Sequence, residues 1–237
     1  MNPKASIVIL TRGDRPDHLR VQLDSCLAQR GVDIQVIVST VAGDPSIPIA
    51  EVSGARVVID TTPGPSSPSQ MYRQWNLALK AVTGDWMAGC SGNDATLQDK
   101  MASGIHTCLE ASARICDSAF YVADEHLNVT DITDLNHYYP YQFKVHASGT
   151  SFVSDACVVH RSVWNRYGPI REDLGNIGLY DFWLRIGKEH PGWFVYNRTP
   201  QWIYRLSPNS RHMRKHRDAA LKNRDLSDKK RMLRLHS

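Results

Sequence analysis

Two short stretches of the sequence concentrate groups that could handle an anion. Thr11-Arg12-Gly13-Asp14-Arg15-Pro16 packs a hydroxyl, two guanidinium groups and a carboxylate just ahead of a segment with helical spacing. A helix N-terminus carries partial positive charge and unpaired N–H groups, so arginines beside it suit a phosphate-bearing ligand such as a nucleotide. A plainer role fits the same residues, with Asp14 or Asp17 capping the helix and the arginines solvated. The second stretch, Ser91-Gly92-Asn93-Asp94, ends an apolar run in polar side chains, and Asp94 there is either a ligand group or the cap of a helix starting near Leu97. Further on, Asp181 and Arg185 lie one helical turn apart and are placed to pair. Asp44 stands in Gly43-Asp44-Pro45, which reads equally as a turn.

The elements that must position these residues follow from periodicity. Ser6–Leu10 is a β-branched apolar strand, 17–29 is helical with Leu19, Leu23 and Leu27 on one face, and Ile34–Val38 is the next strand. Strand, helix, strand makes a βαβ unit with a right-handed crossover. A short strand at 57–59, a proline-rich loop, a helix over 70–82, a strand at 86–90 and a helix over 97–113 extend the alternation expected of a doubly wound sheet. Ligands bind such sheets beyond the carboxyl ends of the strands, so the loops after the first, second and fourth strands are expected to share one crevice. Beyond residue 113 the pattern changes. Strands are expected at 120–124, 142–147, 154–160 and 202–205, with a helix over 181–189, giving a mixed second half.

Three ordered segments carry a resemblance. ILTRGDRPDHLRVQLDSCLAQ, WNLALKAVTGDWMAGCSGND with its spacing from Asn76 to Gly84, and VVHRSVWNRYGPIRED followed by GLYDFWLRI resemble the motifs of family-two glycosyltransferases of the GT-A fold. The resemblance implies an α/β domain over 1–210, with a nucleotide-binding half (1–100) and an acceptor-side half (101–210). It also implies transfer of a sugar from a nucleotide-diphosphate sugar to an acceptor hydroxyl, with inversion and help from a divalent metal, Mn2+ or Mg2+. Asp94 is then the metal ligand, assisted by Asn93, with His212 approaching from the closing segment Tyr204-Arg205-Leu206-Ser207-Pro208-Asn209-Ser210-Arg211-His212. Thr11, Arg12, Asp14, Arg15, Arg73, Asn76 and Arg205 fall to the nucleotide, and Asp44 replaces the base-reading aspartates that the family carries after the second strand. Asp181 takes the place of the base that deprotonates the acceptor. The chain departs from the pattern where the usual first metal-site aspartate is Ser91 or Asn93 and where Tyr180 replaces a glutamate. Trp164 and Trp183 are candidates for stacking on a sugar or for the core.

Composition narrows the rest. With 42% hydrophobic and 22% charged residues the chain is an ordinary globular one, and no apolar run is long enough to span a bilayer. Five cysteines without a Cys-X-X-Cys pair argue against a disulfide framework or zinc site and for a cytoplasmic location. From Arg211 onward ten Lys/Arg stand against three Asp, a basic tail (211–237) that is expected to be helical and suited to DNA or an anionic membrane surface, or simply solvated. The acceptor is accordingly a glycan, a lipid-linked sugar or a modified DNA base. A non-catalytic nucleotide-sugar-binding module is the rival reading.

Overall fold

The computed structural model describes residues 1–62, 68–206 and Lys230. His212 and the expected helix of the basic tail lie outside the described residues. The first half alternates as the periodicity predicts: β1 (Lys4–Leu10), α1 (Pro16–Leu27), β2 (Asp33–Val41), α2 (Ile47–Val52), β3 (Arg56–Asp60), α3 (Pro68–Leu79), β4 (Trp86–Ser91), β5 (Ala95–Thr96) and α4 (Lys100–Glu110). The second half holds β6 (Ile115–Ser118), β7 (Phe120–Ala123), β8 (Val129–Thr133), α5 (Phe143–Ala147), β9 (Val158–His160), α6 (Arg161–Tyr167), α7 (Gly178–Glu189), β10 (Phe194–Asn197) and β11 (Trp202–Arg205).

Seven strands form one sheet in the order β10-β6-β9-β4-β1-β2-β3. All pairs are parallel except those of β9, which runs antiparallel to both β4 and β6. The sheet is therefore mixed. β1 sits near its centre with Ala5, Ile7, Val8 and Ile9 all buried, which is why it reads as a continuous apolar run rather than an alternating one. On one face α1 and α4 supply Leu19, Leu23, Met101 and Ile105. On the other, α3, α6 and α7 supply Trp75, Trp164, Phe182 and Trp183. Trp164 stacks on Phe182 at 4.3 Å between centroids and meets Trp75 edge-on at 5.9 Å, so both candidate sugar-stacking tryptophans belong to the core.

A second sheet, β5-β11-β7-β8, covers the carboxyl end of β4. Because β5 follows Asp94 directly and pairs with β11, the turn after β4 is tied to the last described strand of the chain.

Several expectations shift. The segment 142–147 is helix α5 and not a strand: Phe143 and Ala147, four residues apart, pack on Tyr180 and Leu184 of the 178–189 helix. Apolar residues at 143, 145 and 147 satisfy a period of two and a single helical turn equally, and packing decides. The strand expected over 154–160 shortens to β9, and the helix over 97–113 to α4. α2, β6, β8, α6 and β10 are too short to show a period of their own.

Candidate active site at the carboxyl edge of the sheet

The loops after β1 and β2 lock together. Thr11 N–H bonds to the Ser39 carbonyl at 3.1 Å, and its hydroxyl accepts from Gly13 N–H at 3.2 Å. Gly13 has a left-handed φ of 74°, and a Cβ there would collide with the Asp44 carboxylate, which fills that space. Asp44 is buried and accepts from the Thr40 hydroxyl, the Ser46 N–H at 2.7 Å and the Ser46 hydroxyl at 2.6 Å. Its oxygens are spent on the fold, which removes it from the nucleotide-reading set. Arg12 and Asp14 stand exposed at the rim. Arg15, at the start of α1, has an 18% exposed side chain 3.9 Å from Glu125, and no side chain caps that helix, so the Asp14/Asp17 cap is not made.

Asp94 is the centre of the edge. It is 6% exposed, and its Oδ1 accepts the Arg205 N–H at 3.1 Å. It is not a helix cap, since α4 begins at Lys100 behind Asp99. Burial pushes its carboxyl up to about 8, and the Asp155 charge adds to this against the pull of the Arg205 N–H and of the Arg205 and Lys100 charges. Arg205 is itself 6% exposed. Its Nη1 donates to the Glu125 carbonyl at 3.1 Å, while Nε and Nη2 have no partner among the described residues. His18 Nδ1 is likewise buried and unpartnered, and burial followed by the Arg205 and Arg15 charges lowers that imidazole below its ordinary range. Arg205 thus keeps two uncommitted nitrogens beside Arg15 and His18, where the sheet ends and α1 begins. Such nitrogens are donors without an acceptor among the described residues.

The other expected residues have partners of their own. Arg73 pairs with Asp60 at 2.8 Å at the end of β3; burial alone would raise Asp60, but the Thr62 N–H and Arg73 outweigh it and hold the carboxyl low. The Asn76 amide clamps the acceptor half: it donates to the Ile170 carbonyl at 2.9 Å and to Glu172 at 3.0 Å, and accepts the Ile170 N–H at 2.9 Å. That leaves no role for it at the nucleotide. Ser91 Oγ accepts the Asn93 N–H at 3.3 Å, shaping the turn. Asp181 lies inside the first turn of α7, 1% exposed, with Arg185 Nε at 3.0 Å. Arg185 in turn donates to the Tyr167 carbonyl at 2.5 Å and the Pro169 carbonyl at 3.5 Å. An acceptor hydroxyl does not reach a carboxylate enclosed in this way, and the pair acts as a latch between α7 and the end of α6. Sequence reasoning passed over Lys100, Asp117, Asp155 and Asp60, whose neighbourhoods arise only from strand order.

Among the described residues no three His, Cys, Asp or Glu side chains gather to hold a metal ion. In the Ser91–Asp94 turn one carboxylate is present, already bonded to a backbone N–H and faced by the Arg205 and Lys100 cations. These described residues do not fit a divalent cation, and no step below runs through one.

No protein-family model matches the chain, and no curated protein sequence matches it. Solved structures do. S. aureus TarS superposes with a TM-score of 0.65 at 12% identity, over 86% of this chain and 37% of that one. Its 1–349 fragment, solved in complex with UDP, gives 0.65 at 13%, over 86% and 61%. Glucosyl-3-phosphoglycerate synthase from Mycobacterium tuberculosis, solved with Mn2+, UDP and glucosyl-3-phosphoglycerate, gives 0.55 at 15%, over 87% and 73%. The chain has the GT-A fold. It spans well under two thirds of the length of TarS. Among the described residues of this GT-A chain no helix is long and apolar enough to cross a membrane, and all five cysteines are buried free thiols.

Proposed function

We propose that the chain is a glycosyltransferase that moves a sugar, with inversion, from a nucleoside-diphosphate sugar to an acceptor hydroxyl. One observation carries the reading: the buried Arg205 guanidinium, with two uncommitted nitrogens, stands beside Asp94 and Arg15 where α1 begins. An arginine so buried, with one nitrogen bonded to the Glu125 carbonyl, is only partly compensated for its desolvation until an anion arrives. A sugar that departs from a nucleoside diphosphate leaves negative charge on the β-phosphate, and fixed N–H donors in a water-poor site stabilise that charge as it develops. Arg205, Arg15 and the first turn of α1 supply those donors. Asp94, carrying its proton near neutral pH, adds an O–H donor instead of a repelling charge. Thr11 and the paired Arg73 and Asp60 border the same edge and are assigned to the nucleoside. The complexes of TarS with UDP and with UDP-GlcNAc support a uridine nucleotide as the first donor to try. The acceptor is a glycan, a lipid-linked sugar or a modified DNA base.

Calorimetric titration of UDP and GDP into the full chain tests this. At least one binds, and Arg205→Met weakens it by about 10- to 100-fold, the worth of one or two charge-assisted hydrogen bonds. Affinity with a chelator stays within about threefold of that with manganese. No binding of either nucleotide sinks the donor reading, and a large loss in the chelator reinstates a metal.

A further inference from the structure

A base must touch the proton it removes, and Asp181 does not qualify. We propose that Asp155 is the catalytic base of the transfer, an inference that rests on the nucleotide-sugar reading above. Strand direction brings it there. β9 runs antiparallel to β4, with His160 opposite Trp86 and Val158 opposite Ala88, so the chain just before β9 lies against the carboxyl end of β4, where the Ser91–Asp94 turn begins. Gly89 confirms the approach: a Cβ there would fall 2.8 Å from the Asp155 carbonyl and 2.0 Å from the Trp75 ring.

The side chain is open. Asp155 is exposed, whereas Asp94, Lys100 and Arg205 are buried. It is reachable from solvent although densely surrounded. Asp94 at the turn, Lys100 at the start of α4 and Tyr204 on β11 all interact with it electrostatically. The dense surroundings raise its carboxyl, opposed by its own backbone N–H and the Lys100 charge. Asp155 and the unpartnered Arg205 nitrogens therefore flank one turn, with a proton acceptor and a set of anion donors as the two halves of a displacement.

The step balances. The acceptor oxygen forms a bond to the anomeric carbon as its O–H bond breaks and the proton passes to an Asp155 carboxylate oxygen. The bond from the anomeric carbon to the β-phosphate oxygen breaks with its electron pair, the nucleoside diphosphate leaves against Arg205, and Asp155 then returns its proton to water.

Water serves as acceptor in the test, so no natural acceptor is needed. UDP-glucose, UDP-N-acetylglucosamine and GDP-mannose are incubated with the full chain and with Asp155→Asn, Asp155→Glu and Asp181→Asn, and nucleoside diphosphate release is followed alongside UDP and GDP affinity. Asp155→Asn is expected to slow release by about 100-fold or more, the usual worth of a general base, with nucleotide affinity within about threefold. Asp155→Glu recovers part of the rate. Asp181→Asn melts earlier but keeps its rate per folded molecule. Release by Asp155→Asn within about threefold of the parent overturns the proposal, as does a loss of affinity that accounts for the loss of rate. A parent chain that binds nucleotide yet hydrolyses no donor also overturns it while leaving the donor reading intact. A parent that binds no nucleotide removes both.

Discussion

Replacing Asp94 by asparagine should stabilise the protein, and by an amount that grows with pH. The folded chain holds the Asp94 proton up to a pH of about 8, whereas the unfolded chain releases it near 3.8. Between those values the native state binds more protons than the unfolded state, so stability falls as pH rises through the window. With about 1.4 kcal/mol per pKa unit, the ionisable group disfavours folding by about 2 kcal/mol at pH 5, about 4 at pH 7 and about 5–6 at pH 8.5. Asparagine cannot ionise and keeps an Oδ1 to accept the Arg205 N–H, so Asp94→Asn escapes the penalty without losing that bond. For a chain of this size 1 kcal/mol moves Tm by about 2–4 °C. The variant should therefore melt above the parent by roughly 4–8 °C at pH 5 and by 10–20 °C at pH 8.5, read by scanning calorimetry at matched ionic strength. A gap that is flat across pH, or a variant that is less stable at pH 8.5, refutes the placement of this carboxyl in a dry site. The same variant should bind nucleotide more weakly.

Gly89→Ala would drive a Cβ into the Trp75 ring and the Asp155 backbone, and is expected to destabilise by about 3 kcal/mol, seen as a lower urea midpoint with unchanged slope. Asn76→Ala strips the buried Ile170 of both its backbone partners; a loss of about 2–3 kcal/mol follows, or roughly 5–10 °C in Tm, with nucleotide affinity preserved.

The loops at the carboxyl edge were largely legible in the sequence because they are local. Thr11 to Arg15 and Ser91 to Asp94 each follow an apolar run, and the spacing from Asn76 to Gly84 marks a helix that returns to the next strand. Reading partners was harder. Asn76 and Arg73 sit on α3 as expected, yet their hydrogen bonds go to Ile170 and Asp60, contacts that no helical period encodes. Asp181 and Arg185 announce a pair by spacing alone, and the pair is made; what spacing does not tell is that α7 turns it inward. Asp155 lies in an apolar stretch that reads as strand, with no signal of its own. Its position depends on β9 reversing direction between two parallel neighbours, a decision settled by the whole sheet. The 142–147 segment shows the same limit at small scale, since one turn of helix and three alternating strand residues share an apolar pattern.

The pairing of β11 with β5 gives the end of the described chain an address. Arg205 N–H donates to Asp94 and Leu206 N–H to the Ala123 carbonyl, so the last described residues are fixed at the same edge as the Asp94 turn. A shift of β11 therefore moves the Asp94 turn with it, since one strand pairing and one backbone hydrogen bond join the two.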